Sequence, residues 1–278
     1  MEIKSVAIIM TVHNRKRQTI ECLRCLFHEP SLFDVYLTDD GCTDGTAEAI
    51  EEMFPDVQIL KGNGELFWNR GMHLAFREAL KKDYRFYLWL NDDTIVVPSF
   101  LNKLMDFSEK EGERSILCGA CVNNEIEGII TYGGFSANHE LLQLSNEPQL
   151  CSFASGNIFF IPRSVVQKLG NLDYYYRHSM GDFDYAVRAS KNDVKIIQVP
   201  GYLGICDVHP RIPKWRDTNY GLKYRIKNMY SPLGQNPFEF FHCDKKNKGV
   251  IYASVRFFLL HLRCIFPKLW GRKYYTKI

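Results

Sequence analysis

Hydrophobic and polar positions in the first third of the chain alternate between two periods. Residues 5–12 form an almost unbroken apolar run, which is typical of a strand buried on both faces, and residues 16 to about 27 repeat at helical spacing. The same alternation predicts strands at residues 34–38, 57–60 and 85–90, and helices at residues 44–54, with Thr43 as N-cap, and 68–81. Strands that alternate with helices predict an α/β fold with a parallel sheet covered by helices.

The pattern changes in the second half of the chain. From about Ile116 short strands and turns predict a mixed sheet, with a further helix from about Gly181 and a strand over residues 195–200. A break in composition falls at residues 211–217, beyond which the chain is basic and aromatic. We therefore predict an α/β domain over residues 1–215, with halves 1–95 and 96–215, and a helical extension over residues 216–278.

Composition and charge exclude several classes of protein. The 278 residues are 46% hydrophobic with a formal net charge of +3, which is too mild to indicate nucleic acid as a partner. No signal-peptide pattern opens MEIKSVAIIM and no uncharged apolar run reaches spanning length, so a cytoplasmic protein is expected. Nine cysteines fit reduced thiols. Two CxxC pairs, at 22/25 and 118/121, would allow a zinc site, but their apolar settings favour buried thiols.

Polar residues gather at three predicted strand ends. The segments are TVHNR (11–15), TDDGCTDGT (38–46) and LNDDT (90–94). In an open α/β sheet such ends line one crevice, where ligands bind. Neighbouring carboxylates resist burial without a cation, and Mg²⁺ takes one or two carboxylates together with water and phosphate oxygens. Residues 91–93 therefore predict a sparse metal site, with a solvated, helix-capping loop as the alternative interpretation.

Taken in order, the motifs resemble the inverting glycosyltransferases of family 2, of the surface-glycan and rhamnosyltransferase type. The resemblance covers about residues 6–210. TVHNR is similar to the family's T-x-x-N-R, TDDGCTDGT to its D-D-G-S-x-D-G-T with Cys42 in place of Ser, and LNDDT to its D-x-D with Asn91 in first place. GNGELFWNRGMHLA resembles a nucleotide-contacting segment, GNIFFIPRSVV an acceptor-side segment, and GDFDYAVRA the catalytic-base helix. The fold implied is GT-A, a Rossmann-like mixed sheet flanked by helices.

The resemblance also implies roles for single residues. Asp182 is the expected general base, its usual Glu neighbour being Gly181 here, and Asp184 is given a supporting or capping role. Two helix acids favoured by the macrodipole are the alternative interpretation of this pair. The remaining candidates are, for nucleotide binding, Thr11, His13, Asn14, Arg15, Asp39, Gly41, Arg70 and Asp92; for the metal, Mg²⁺ or Mn²⁺, Asp93 and His209; and for the acceptor side, Gly156 and Asn157. A surface position without a role is the alternative interpretation of both Arg70 and His209.

Two other functions stay open at this point. The departures at Asn91 and Gly181 allow a non-catalytic adaptor that binds nucleotide sugar or glycan on the same fold. A sugar nucleotidyltransferase would need a glycine-rich loop after the first strand, and TVHNRKRQ contains no glycine. The main expectation is an enzyme that uses a nucleotide-diphosphate sugar, UDP- or dTDP-linked, and a glycan or lipid-linked acceptor.

The basic excess is concentrated in the C-terminal extension. After Glu239 the only acid is Asp244, whereas nine Lys and Arg follow. The segment VIYASVRFFLLHLRCIF (250–266) is strongly apolar, but Arg256 and Arg263 near its centre oppose a spanning helix. The pattern predicts a helix lying in a membrane interface, at the inner face of the membrane, with packing on the catalytic domain or in a homodimer as the alternative.

Overall fold

The computed structural model describes residues 5–28, 33–124, 129–207 and 213–270. The strands in these ranges are β1 (Val6–Val12), β2 (Phe33–Asp39), β3 (Val57–Lys61), β4 (Phe86–Leu90), β5 (Ile95–Val96), β6 (Ile116–Val122), β7 (Ile130–Tyr132), β8 (Gly134–Phe135), β9 (Gln149–Cys151), β10 (Phe153–Ala154), β11 (Ile158–Pro162) and β12 (Ile196–Ile205). The helices are α1 (Lys16–Leu26), α2 (Thr46–Met53), α3 (Phe67–Ala79), α4 (Phe100–Lys110), α5 (Arg163–Leu169), α6 (Gly181–Lys191), α7 (Leu222–Met229), α8 (Pro237–Lys248) and α9 (Val250–Ile265), with a 3-10 turn at Pro267–Trp270.

One mixed sheet organises the described residues. Its main path is β3-β2-β1-β4-β11-β6-β12-β5, in which β3, β2, β1 and β4 run parallel and β11 lies antiparallel between β4 and β6. β12 runs parallel to β6 and antiparallel to the edge strand β5. Strands β8 and β10 form a separate antiparallel pair. The predicted α/β fold with a mixed sheet in its second half is confirmed.

The position of β1 at the centre of the parallel half explains its unbroken apolar sequence. Successive side chains of a strand point to opposite faces, so a strand covered on both faces needs apolar residues throughout. Ile8 and Met10 belong to the cluster that also contains residues of α1 and α4. Ala7 and Ile9 belong to the cluster on the other face, with residues of α3 and α6.

The predicted start of the second helix was wrong by two residues. α2 begins at Thr46, and its N-cap is Gly45 in the left-handed region (φ +77°), not Thr43. The reason is a long-range contact, because the backbone N–H of Thr43 donates to Asn14 Oδ1 at 2.7 Å and keeps Thr43 in the preceding loop. Asp44 instead accepts the backbone N–H of Thr46 (3.2 Å) and of Lys16 (3.1 Å).

The helices α7, α8 and α9 make up a C-terminal extension with a small core of its own. Trp215, Met229, Leu260 and Cys264 are buried together in this core. Among the described residues, no helix combines the length and the apolarity that crossing a membrane requires.

Close packing of α3 on β1 provides a test of this architecture. A Cβ built at Gly71 would lie 2.1 Å from Thr11 Oγ1, and the Gly71 carbonyl accepts a hydrogen bond from Thr38 Oγ1 at 2.8 Å. Alanine is the better helix former by about 1 kcal/mol, whereas overpacking costs about 1–3 kcal/mol, so the clash decides the sign. We expect Gly71→Ala to lower the free energy of unfolding by about 1–2 kcal/mol.

Urea unfolding followed by circular dichroism measures this change. The compensating control is the double variant Gly71→Ala/Thr11→Ala, which removes the Oγ1 atom that the new methyl group would meet. If the single variant were as stable as the parent protein, the close approach of α3 to β1 would be contradicted.

Candidate active site

The segments that follow β1 and β2 leave the sheet side by side. Val12 and Asp39 are register partners at the carboxyl ends of these parallel strands. The backbone N–H of Asp40 donates to the Val12 carbonyl at 2.9 Å, and His13 Nδ1 lies 2.6 Å from the Asp40 carbonyl. Since a carbonyl only accepts, Nδ1 of His13 carries the proton in this contact. The first two polar clusters therefore form one continuous rim.

The other residues predicted to contact the nucleotide from these two strand ends lie on the same rim. Thr11 Oγ1 donates to the Thr38 carbonyl at 3.3 Å, and Asn14 adopts the left-handed region (φ +53°). Asp39 Oδ1 accepts the backbone N–H of Cys42 at 2.8 Å, which fixes its carboxylate at the end of β2. Gly41 is also left-handed (φ +68°), and a Cβ there would lie 2.9 Å from the backbone of Gly64.

Asp40 has a role that the sequence did not reveal. Its buried carboxylate accepts three backbone N–H groups, from Gly64 (2.9 Å) and Leu66 (3.2 Å) before α3 and from Phe67 (2.8 Å), the first residue of that helix. These bonds hold Phe67 in the left-handed region, at φ +58°. Neighbouring residues at a strand end point to opposite sides, so Asp39 and Asp40 serve different parts of the molecule.

The third polar cluster meets the first through Arg15. The guanidinium of Arg15 donates to Asp93 Oδ2, and its Nε lies 3.5 Å from Asp92 Oδ2. Burial raises the pKa of Asp92 to about 7, an effect that the nearby Arg15 charge opposes. Asp92 also accepts a hydrogen bond from Thr19 Oγ1 at 3.4 Å. The side chain of Asp93 is 24% exposed, so of these two carboxylates it is the one open to a ligand.

Asn91 is not directed at a cation. Its Oδ1 accepts the indole N–H of Trp68 at 2.8 Å, and its backbone N–H donates to the Asn157 carbonyl at 3.2 Å. A neutral amide oxygen is sufficient for an indole donor, which gives a physical reason for Asn at a position where the family has Asp.

A hard divalent cation shared with a substrate would find one partly exposed carboxylate here. Asp93 supplies one accessible carboxylate, and the Sγ atom of Cys206 lies 3.5 Å from Asp93 Oδ1. Within residues 5–28, 33–124, 129–207 and 213–270, no group of three His, Cys, Asp or Glu side chains could hold a metal unaided. His209, the second predicted ligand, lies outside the described residues. One carboxylate completed by diphosphate oxygens and water is a shell that Mg²⁺ accepts.

The two residues predicted for the acceptor side lie between the LNDDT motif, where the cation is predicted, and Asp182, the predicted base. Antiparallel pairing of β11 with β4 places Ile158 opposite Leu90, so Gly156 and Asn157 lie beside the LNDDT motif. A Cβ at Gly156 would lie 2.5 Å from the Trp68 ring. Asn157 is buried, and its amide donates to Cys206 Sγ at 3.6 Å. Both residues are thus supports beneath the crevice.

Asp182 is the second residue of α6, two positions after the left-handed N-cap Met180 (φ +76°). Its carboxylate accepts the backbone N–H of Phe183 at 2.8 Å. Burial raises the pKa of Asp182, while hydrogen bonds from the backbone of Phe183 and Gly156 act in the opposite direction. The influence of Gly156 on this pKa indicates that the carboxylate lies near the segment that precedes β11.

The absence of a side chain at Gly181, which precedes Asp182, has a steric reason. A Cβ at Gly181 would lie 1.8 Å from Oδ1 of the fully buried Asn69. Asn69 is fixed there because its amide donates to the carbonyls of Asp173 (2.9 Å) and Tyr176 (2.8 Å). The amide of Asn69 therefore occupies the space that a larger residue at position 181 would need.

Asp184 and Arg70 are both engaged in contacts within the protein. Asp184 is 1% exposed and accepts from Arg188 Nε (2.8 Å), Lys246 Nζ (3.1 Å) and Tyr176 Oη (3.2 Å). Arg70, predicted to contact the nucleotide, donates through Nε to the Tyr174 carbonyl at 3.0 Å and lies 4.7 Å from the centre of that ring. Part of its guanidinium thus contacts the loop before α6.

Helix α8 of the C-terminal extension forms ion pairs with the segment that carries Asp182. Glu239 of α8 is buried and pairs with Arg177 Nε at 3.1 Å. Lys246 of the same helix contacts both Asp184 and Asp173 at 3.1 Å. The segment before α6 is consequently held by α3 on one side and by α8 on the other.

Comparison with known proteins identifies the family of this chain. The sequence profile described as Glycosyl transferase family 2 matches residues 7–170, more than half of the chain, and the chain therefore belongs to that family. It is a glycosyltransferase. The match ends before α6 and before the C-terminal extension. No curated protein matches this sequence.

Solved structures share the fold. Staphylococcus aureus TarS superposes with a TM-score of 0.56 at 12% identity over 99% of this chain, which spans only 46% of the TarS chain. TarS residues 1–349 give 0.57 at 11% identity, over 96% of this chain and 73% of that one. The mannosyltransferase PcManGT from Pyrobaculum calidifontis, in complex with GDP-Man and Mn²⁺, gives 0.56 at 13% identity, over 97% and 76%. At these identities the likeness shows the GT-A fold alone.

Removing the charge of Lys246 tests how much the ion pairs between α8 and α6 contribute to stability. Lys246→Met keeps the aliphatic stem and leaves buried Asp184 with Arg188 as its remaining cation. Because Lys246 is 39% exposed and Arg188 stays, we expect a loss of about 1–2 kcal/mol in the free energy of unfolding, less than the 3–5 kcal/mol typical of breaking a buried pair. Urea denaturation measures it, with the exposed neighbour Lys245→Met as a control of unchanged stability. Equal stability of both variants would contradict the role given to Lys246.

Proposed function

We propose that this glycosyltransferase moves a sugar from a UDP- or dTDP-linked donor to a hydroxyl of a glycan or lipid-linked acceptor by a single, inverting displacement. The observation that carries the proposal is a short path of contacts. The Gly156 backbone lies near enough to the Asp182 carboxylate to lower its pKa, and the carbonyl of the next residue, Asn157, accepts the backbone N–H of Asn91, next to Asp92 and Asp93. A carboxylate fit for a base therefore lies close to a carboxylate fit for a cation.

The rim of the crevice suits a nucleoside diphosphate. Uracil and thymine present an imide N–H, which requires an acceptor such as the carboxylate of Asp39. The guanidinium of Arg15 has the planar array of donors that phosphate oxygens accept. The ion pair of Arg15 with Asp93 is partly exposed on both sides, at 41% for Arg15 and 24% for Asp93, so this pair can exchange at modest cost.

Asp93 would hold Mg²⁺ or Mn²⁺ together with the donor diphosphate. When bound, the ion neutralises charge that grows on the leaving nucleotide. Arg15 adds a positive charge beside it, and Asp92 fixes the loop through Thr19 and Arg15. The amide of Asn91 orients Trp68 and takes no part in holding the cation.

Asp182 would accept the proton of the acceptor hydroxyl as that oxygen attacks the anomeric carbon. Burial raises the pKa of Asp182 and so makes its carboxylate a stronger base than an exposed Asp. Asn91 and Gly181, which left a non-catalytic adaptor open, each have a packing cause in Trp68 and Asn69. These two departures therefore no longer favour the adaptor over the enzyme.

Thermal unfolding with a panel of nucleotides tests donor and cation together. We expect UDP or dTDP, but not ADP, CDP or GDP, to raise the melting temperature, and only when Mn²⁺ is present. At a ligand concentration of about one hundred times Kd the stabilisation is about 2.7 kcal/mol, or several degrees for a chain of this size. Asp93→Asn should lose the Mn²⁺-dependent part, whereas Asp106→Asn on the exposed side of α4 should keep it. Stabilisation by GDP alone, or without metal, would be incompatible with the proposal.

Replacing the proposed base separates catalysis from binding. Asp182→Asn preserves volume and one oxygen acceptor but cannot take a proton, so we expect transfer to slow by about 10²–10⁴-fold at unchanged nucleotide affinity. Release of nucleoside diphosphate from the donor found in the panel gives the rate, with Asp106→Asn as control. In the parent protein the rate should fall as pH decreases, from a higher pH than an ordinary Asp would give, because the base must be deprotonated. Full activity of Asp182→Asn would exclude it as the base.

A further inference from the structure

α9 exposes a continuous apolar face. Large exposed side chains lie three or four residues apart in the first half of the helix, which places them along one side, and two more follow its C-terminal end. They are Ile251 (80% exposed), Val255 (55%), Phe258 (62%), Phe266 (52%) and Leu269 (76%). Large contiguous apolar surfaces are rare on isolated soluble chains and mark contacts with a partner.

The orientation of this face is fixed by the other side of α9. Ala253, Leu260 and Cys264 are buried, the latter two in the small core with Trp215 and Met229. Arg256 is also directed inward, since its Nη1 bonds to Asp244 Oδ1 at 2.9 Å and its guanidinium lies 4.8 Å from the Phe240 ring. The helix cannot bury its apolar face within the extension without giving up these contacts.

The charge around the face has one sign. Among described residues from 239 onward the acids are Glu239 and Asp244, which are buried and paired with Arg177 and Arg256. Lys248 precedes α9 and Lys268 follows it, and both are exposed. An apolar stripe bordered by exposed lysines is complementary to a surface that is itself apolar beneath a layer of negative charge.

We propose that this face of α9 is a docking surface for an anionic lipid bilayer, with the helix parallel to the membrane plane. A helix of 16 residues is about 24 Å long, shorter than the hydrocarbon core of about 30 Å, so it lies on the bilayer and does not cross it. A second copy of the chain is the less complementary occupant, because an isologous contact would bring the lysines of both copies together. The proposal stands independently of the donor, the cation and the base.

Co-sedimentation of the full chain with vesicles tests the surface. We expect binding to phosphatidylcholine vesicles that contain about 30% phosphatidylglycerol, and at least tenfold weaker binding to phosphatidylcholine alone or at 0.5 M salt, since each lysine near an anionic surface contributes about fivefold. Ile251→Asp/Phe258→Asp should lower the affinity for anionic vesicles at least tenfold. Leu150→Asp is the matched control, because Leu150 is 67% exposed but lies on β9 of the sheet.

The variants are checked by urea unfolding and by nucleotide-dependent thermal shift, which should both match the parent protein. Vesicle binding that is insensitive to the α9 substitutions, or no binding at all, would overturn the proposal. A dimer seen by light scattering without lipid, and abolished by Ile251→Asp/Phe258→Asp, would identify a second copy as the occupant and equally overturn it. Failure of the vesicle test with an intact nucleotide response would leave the proposed transfer reaction standing.

Discussion

A carboxylate removed from water needs a compensating partner, and the rest of this structure depends on how its acids meet that requirement. Asp40 is satisfied by three backbone N–H groups and thereby shapes the loop before α3. Asp184 is satisfied by Arg188 and Lys246 and thereby joins α6 to α8. Asp92 and Asp93 share Arg15, which leaves Asp93 partly exposed. Acids whose oxygens are fully hydrogen-bonded within the protein stabilise the fold, whereas an acid with an exposed, exchangeable partner remains available to a ligand.

The same logic accounts for two departures from the family pattern. Position 91 accepts an indole N–H, for which an amide oxygen is adequate and a second buried negative charge would be costly beside Asp92 and Asp93. Position 181 abuts the amide of Asn69, which is committed to two carbonyls of the loop before α6. Each departure is thus coupled to a residue of α3. Trp68 and Asn69 adjoin in sequence, so one turn of that helix supports both the cation side and the base side.

Local pattern was sufficient to predict the parallel strands of the first half, the helices between them, α6 and the meeting of the strand-end clusters, whereas α4 and the edge strand β5 were not predicted. Those features depend on periodicity and on the rule that parallel strand ends converge. Three features were not predictable in this way. They are the different partners of Asp39 and Asp40, the hydrogen bond of Arg70 to the Tyr174 carbonyl, and the N-cap at Gly45. Each is decided by a partner distant in sequence, and a one-dimensional pattern does not show which distant group takes a given donor. The ion pair between Lys246 and Asp184, which are 62 residues apart, is the clearest case.

The C-terminal extension connects two faces of the molecule through the short junction between α8 and α9. α8 ends at Lys248 and α9 begins at Val250, with only Gly249, left-handed at φ +88°, between them. α8 holds the segment that carries Asp182, whereas α9 presents the apolar face on its far side. A surface that binds α9 therefore fixes α8 and, through Glu239 and Lys246, the orientation of the crevice relative to that surface. For an acceptor anchored in lipid, this coupling would replace a search in three dimensions by one in a plane. Asp182, the proposed base, would then keep one fixed orientation relative to the membrane.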